Sequence, residues 1–324
     1  MTESASHRRG VALAFAAVYL IWGSTYLGIA FALESFPPFI LGGVRFVLAG
    51  SALYAWARWR GAPRPEPVHW RSAALLGVLF FLCGNGSVVW AEQTVPSGLT
   101  AVLVAVVPIW AGLLEWLRPN GGRPSGGTLA GMVLGLGGVA LMMLPGQALG
   151  SHPIGLRGPL VLMVASMLWA FGTLYSRTAP LPASTPLASA MEMFCGGIAL
   201  LLLSAVTGEW RSFEPQAITP KAGLAFFYLV TFGSLIGFTA FAWLARVTTP
   251  VKVSTYAFVN PMVAVFLGWL LAGERLSART LMASLAIVAA VVVIVLSRAA
   301  RGAFRPRQQT PDEIPAITDE LPAV

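Results

Sequence analysis

The sequence predicts an all-α polytopic membrane protein of ten transmembrane helices, arranged as two inverted-topology repeats of five helices each. Three observations predict it. The chain has too little charge to coat a soluble protein, it contains apolar runs of membrane-crossing length, and its second half repeats the first at a nearly constant offset. Of 324 residues, 56% are apolar and only 10% are charged, against about 25% charged in an ordinary soluble domain. Mean hydropathy is +0.75. The net charge of +8 does not gather on one face. The basic residues sit between apolar segments on alternate sides, which excludes nucleic acid as the partner and makes them topology determinants. Cys83 and Cys195 fall inside apolar runs and read as small buried residues, not as a disulfide framework or a metal site.

Taken in order, the helices are expected at 11–33, 37–57, 72–92, 97–117, 128–145, 158–178, 186–206, 222–243, 251–272 and 280–298. About 20 residues at 1.5 Å each cross a hydrocarbon core of about 30 Å. Pro37, Pro38, Pro96, Pro159, Pro186 and Pro250 fall near the expected starts, where proline sacrifices no helical hydrogen bond. His7, Arg8 and Arg9 precede the first run, which is too long for a signal-peptide core and reads as an uncleaved span. With the N-terminus in the cytoplasm, the inner side collects Arg8, Arg9, Arg58, Arg60, Arg64, Arg71, Arg118, Arg123, Arg177, Arg246, Lys252, Arg298, Arg301, Arg305 and Arg307. The outer side holds only Arg157, Arg211, Lys221, Arg275 and Arg279. That bias predicts cytoplasmic termini and a multi-pass protein of the cell inner (plasma) membrane. The expected organisation is a cytoplasmic segment 1–10, a first repeat 11–145, a periplasmic linker 146–157, a second repeat 158–298 and a disordered cytoplasmic tail 299–324.

The repeat is visible residue by residue. Trp22 to Arg45 and Trp169 to Glu192 have the same spacing, with Leu27 on Leu174 and Gly50 on Gly197. Gly84, Trp90 and Pro108 align without a gap on Gly237, Trp243 and Pro261, and Thr128-Leu129 aligns on Thr280-Leu281. Because five is odd, the two halves must insert with opposite orientation, the arrangement used by secondary transporters.

These residues resemble the EamA-domain members of the drug/metabolite transporter superfamily. The first half carries Ile21-Trp22-Gly23-Ser24-Thr25-Tyr26, Pro37-Pro38, Arg45, Trp90-Ala91-Glu92-Gln93, Pro96-Ser97-Gly98-Leu99 and Pro108. The second carries Leu168-Trp169-Ala170, Asn260-Pro261 and Gly273-Glu274-Arg275. The first-half motifs are similar to those of the YedA-like group of drug and metabolite exporters. The resemblance covers Val11 to Ser297 and implies ten helices, cytoplasmic termini, a central cavity and export of small metabolites or drugs. One departure is Gly121-Gly122-Arg123, where the family often has Gly-Glu-Arg.

Few polar residues lie within the spans, so each is a candidate for the site. Arg45 lies about eight residues into the second span, roughly 12 Å deep, where insertion costs about 2.5–3.5 kcal/mol. It reads as an anion site, a gating ion pair or a structural bond to broken-helix carbonyls. Glu192 holds the repeat-equivalent position. An inverted axis would bring it towards Arg45, either as a proton-exchanging carboxyl that makes the proton the coupling ion or as a fixed bridge. Trp22 and Trp169 sit mid-span, as cavity walls or as packing. Ser24 and Thr25 mark a bend or wall in span one, and Asn85 and Asn260 make interhelical hydrogen bonds or solute contacts. Glu92 and Glu115, at span ends, read as solvated carboxylates, with an outer gate as the alternative for Glu92. Gly127, Gly131 and Gly135 form a ridge for another helix, with a homodimer seam as its alternative use.

No cofactor and no enzyme chemistry are expected. His7, His69 and His152 fall in loops or the tail, and no span offers a catalytic pair, zinc motif or P-loop. The expected function is a secondary transporter exporting small organic metabolites, amino-acid-like or amphipathic drug-like solutes, by alternating access. Its partners are a small-molecule substrate and membrane lipid. A channel or a non-transporting helper subunit is the competing class.

Overall fold

The computed structural model describes residues 5–118, 123–143, 148–149, 152–153, 155–248, 253, 255–274 and 277–303. Among them, eight helices are long and apolar enough to cross a membrane: α1 (His7–Ala32), α2 (Pro38–Trp59), α3 (Pro67–Ala91), α4 (Ser97–Leu117), α6 (Arg157–Tyr175), α7 (Thr185–Thr207), α8 (Pro220–Phe241) and α10 (Ala278–Ser297). Two shorter apolar helices, α5 (Gly126–Leu141) and α9 (Tyr256–Ala272), complete the series. A helical bundle is thus observed as expected, with eight candidate spans among the described residues where ten were expected, and helix begins at Ala5, inside the expected N-terminal segment. At the other end α10 continues to Ala303, into the stretch 299–324 expected to be a disordered tail. The alanine-rich run after Ser297 has good helix formers. Within the expected linker, Ala148–Leu149 pairs antiparallel with His152–Pro153, a small exception to the all-α expectation. The rest of the tail, residues 304–324, lies outside the described residues.

Proline and glycine explain the irregularities. α4 breaks between Val104 and Val107, because Pro108 lacks an N–H and its ring crowds the Val104 carbonyl. Pro261 sits inside α9 and affects the Ala257 carbonyl in the same way. Three helices change pitch to π at comparable depth: Val18–Trp22 in α1, Val78–Gly86 in α3 and Leu229–Ile236 in α8.

Close backbone approach holds the bundle. A methyl at Gly50 of α2 would stand 2.7 Å from the Phe194 backbone nitrogen, and one at Gly197 of α7 would stand 2.7 Å from the Val47 nitrogen. Gly43 likewise meets Leu201. Partner numbers fall as α2 numbers rise, so α2 and α7 run antiparallel. α5 and α10 pair in the same sense: Gly131 faces Ala290 and Ile294, and Gly138 faces Ala283 and Ile287. The α5 ridge is thus covered by α10 of the same chain. Apolar clusters fill the remainder, one around Ile29, Leu99, Leu103, Leu162 and Ile287, another around Phe46, Phe81, Met193 and Leu200. Leu20, Leu48, Val133, Leu202, Phe266 and Leu285 stay exposed on outer faces, as lipid-facing side chains must.

Gly197→Leu should destabilise the protein by about 1–3 kcal/mol or more, because the backbone it meets cannot yield like a side chain. Gly137→Leu, with nothing within 4 Å of a Cβ there, should leave the detergent melting curve unchanged.

Candidate functional site

A cavity of about 600 Å³ enters the bundle from the end that holds Glu115, Arg123 and Arg177. These three are exposed, and the lining then becomes progressively buried. Pro108 and Pro261 lie on its wall, as do Trp22, Thr25, Tyr26, Arg45, Asn85, Ser166, Trp169, Phe238, Tyr256 and Asn260. The helix irregularities therefore occur where the cavity needs backbone polar groups at depth, consistent with irregular backbone being tolerated only where it lines a cavity or is buried in protein.

Arg45 is 4% exposed. Its Nε donates to Ser234 Oγ at 2.9 Å, on the π segment of α8, and its guanidinium lies 4.7 Å from the Phe46 ring centroid. Among the described residues no carboxylate stands within ion-pair distance of it. Trp22 Nε1 donates to the Gly233 carbonyl at 3.2 Å, and its indole packs against Phe238, Phe241 and Tyr256 at 5.1, 5.1 and 5.4 Å. Trp169 packs against Phe80 at 4.9 Å. Thr25 Oγ1 donates to the Trp22 carbonyl, Asn85 Nδ2 donates to the Phe80 carbonyl, and the buried Asn260 Oδ1 has no hydrogen-bond partner.

The cavity thus brings together Trp22, Thr25, Arg45, Asn85, Trp169 and Asn260. It does not include the other two candidates. Ser24 bonds the Leu20 carbonyl and, at 2.6 Å, the Tyr228 hydroxyl of α8, so it joins helices. Glu192 is not among the lining residues, and the expected approach to Arg45 does not occur. The antiparallel α2–α7 register sets Glu192 opposite the region of Gly50, about 7.5 Å along the helix from Arg45 at 1.5 Å per residue. Glu92 departs from expectation too: it is buried, not solvated, and neither carboxyl oxygen has a partner. Ser234 and Tyr256 escaped the sequence reading because one serine or tyrosine in an apolar run carries no positional signal.

At the opposite end of the bundle a seam closes the way. Lys221 Nζ meets Glu34 Oε1 at 2.6 Å, both half-exposed. Glu209 accepts from the Phe39 and Ile40 N–H groups at 3.0–3.2 Å, and Glu274 accepts from Ser97 N, Ser97 Oγ and Gly98 N at 2.7–3.1 Å. These carboxylates cap the N-termini of α2 and α4, where orphan N–H groups favour negative charge. Burial pushes the Glu209 carboxyl up, against the pull of its two N–H donors. Ser35 bonds Thr219, and Phe36 stacks on Phe226 at 5.1 Å. Every one of these contacts joins a residue numbered below 100 to one numbered above 200.

A multi-helix membrane bundle with a polar-floored cavity sealed at one end is the architecture of a membrane transporter. The sequence matches the EamA-like transporter family over residues 8–144 and again over residues 156–296, and the chain belongs to that family. It is 39% identical over 283 residues to the inner membrane transporter YedA of Escherichia coli (strain K12), covering 87% of this chain and 89% of that protein. Transporter YoaV of Bacillus subtilis (strain 168) is 25% identical over 283 residues, covering 86% and 94%. A solved crystal structure that is 20% identical superposes with a TM-score of 0.59 over 90% of this chain and 99% of the other, a likeness of fold.

The two carboxylate types in the seam should differ in weight. Glu274→Ala strands three buried donors and should lower stability by about 1–3 kcal/mol, whereas Lys221→Ala removes an exposed ion pair and should change it by less than about 1 kcal/mol. Thermal unfolding of the purified variants measures both.

Proposed function

We propose that the chain is a secondary carrier of the inner membrane that moves small organic solutes out of the cell by exposing one central cavity to each side in turn. The observation that carries this reading is the cavity itself: open at one end, floored by Arg45, and stopped by a seam whose contacts all bridge the two matched stretches. Antiparallel packing of α2 on α7 and of α5 on α10 supports an inverted pair of five-helix halves, because the repeat aligns each of these helices with its own partner. The Lys and Arg bias sets the open end, with Arg123 and Arg177, towards the cytoplasm, so this conformation accepts solute from inside. The name of the relative YedA, an inner membrane transporter, supports the location.

The lining suggests the cargo. Arg45 has charge to offer and no acid to spend it on, Asn260 offers a bare acceptor, and Trp22, Trp169 and Tyr256 supply flat apolar walls. That combination suits a compact solute with an acidic group and an apolar or aromatic body, in keeping with amino-acid-like or amphipathic molecules.

Comparison of the medium from overexpressing and deletion strains should reveal the exported solute, and proteoliposomes holding only this protein should then show saturable counterflow of it. Arg45→Ala should reduce counterflow at least about tenfold, the loss of one charge-assisted contact, while retaining the wild-type elution profile. Normal counterflow by folded Arg45→Ala would remove Arg45 from the site. Linear, unsaturable flux would instead identify a channel. In a background lacking Cys83 and Cys195, oxidation of Ser35→Cys with Thr219→Cys should stop transport and reduction should restore it. Continued transport with the pair fully cross-linked would contradict alternating access.

A further inference from the structure

We propose that Glu92 is a proton-operated latch of this transporter: the seam shuts over it only when it is protonated, and opening of the seam lets that proton exchange with water. This rests on the alternating-access reading above and adds a pH-sensitive latch to it.

Glu92 immediately follows the helical span of α3, where water or headgroups are expected, yet it is only 9% exposed and both carboxyl oxygens lack partners. The seam carboxylates Glu34, Glu209 and Glu274 all have donors. An ionised carboxylate stripped of water and given no donor is penalised heavily, whereas a neutral acid leaves only ordinary polar groups without partners, a smaller cost. The shut seam therefore favours the acid form.

The location suits a latch. Val88 lines the cavity, and Glu92 lies four residues on, on the same face of the helix, about 6 Å further at 1.5 Å per residue. It thus stands between the blind end of the cavity and the seam. Glu274, Arg45 and Tyr26 act on it electrostatically. Glu274 opposes its ionisation. Arg45 favours ionisation but is bonded to Ser234 and forms no ion pair with it. α6, packed against the end of α3, brings only Arg157, exposed at its first turn, and α4 brings no ionisable side chain between Ser97 and Val104.

The sign follows from linkage. The carboxyl holds its proton more tightly with the seam shut than with the seam open and the group in water, so acid favours the shut form and alkali the open one. On opening, the carboxyl O–H bond breaks, the proton passes to water and the carboxylate keeps the electron pair; reclosure reverses the step. Both uptake and release take place on the seam side, so the pH there sets how readily the seam opens.

The test uses the full chain in lipid nanodiscs, with Cys83→Ser, Cys195→Ser, and spin labels at Gln93→Cys and Glu214→Cys, which are exposed on the two sides of the seam. Label separation is followed from about pH 5 to about pH 9, spanning a carboxyl raised from its ordinary value near 4.3. The separated population should rise with pH as a one-proton transition, and Glu92→Gln should stay unseparated throughout. The infrared band of a buried carboxylic acid should fade with the same midpoint in the parent and be missing from Glu92→Gln. An unchanged midpoint in Glu92→Gln overturns the assignment and leaves alternating access standing. Labels that never separate overturn it as well, and together with transport through the cross-linked Ser35–Thr219 pair they take alternating access with them. Should Glu92→Gln fail to fold, the parent's infrared band decides: no acid band titrating in step with the seam means Glu92 is not the latch.

Discussion

The architecture depends on the contact between α2 and α7, where backbones meet with no side chain between them. Gly50 and Gly197 each abut the opposing main chain, so neither helix can slide by a residue without driving a Cβ into it. This register determines which way Arg45 points. Its guanidinium reaches across to Ser234 on α8 and stops there, leaving a buried cation that nothing on α7 neutralises. The cavity gives such a cation the polar surroundings it requires.

Much of this was legible in the sequence, for definite reasons. A stretch of about 20 apolar residues has few alternatives to a membrane span, so helices such as α4 and α7 were read to within a residue or two at either end. Arg45, Trp22, Trp169 and Asn260 stood out because polar or indole groups at mid-span need an explanation. What sequence could not supply is rotation. A helix that is apolar on all sides gives little clue to which side faces protein and which faces lipid. Hence Glu192, aligned with Arg45 by the repeat, faces elsewhere, and Ser24 turns to Tyr228. Glu92 was misread for a related reason. Position at a span end implies water only if nothing lies over it, and burial by distant segments is a tertiary fact.

The pitch changes and prolines have a common effect. In α1, α3 and α8 the π turns loosen the hydrogen-bond ladder at the depth of the cavity, and Gly233, inside one of them, presents its carbonyl to Trp22. Pro108 and Pro261 free carbonyls at matching places in the two halves. Main-chain dipoles are thereby available inside a bundle whose side chains are mostly apolar, which is how a small apolar protein can offer hydrogen bonds to a passing solute.

The seam mixes unlike fasteners: an exposed ion pair, two amide-capping carboxylates, a hydroxyl pair and an aromatic stack. Each contributes on the order of 0.5–2 kcal/mol, while inverting a two-state population from 1:99 to 99:1 takes about 5.5 kcal/mol. No single one of these fasteners governs the resting balance of a transporter built this way. Ionic strength trims only the Lys221–Glu34 link, and heat weighs differently on polar caps than on stacked rings. The poise of the molecule is accordingly a graded property, adjustable in small steps by surface substitutions far from the cargo.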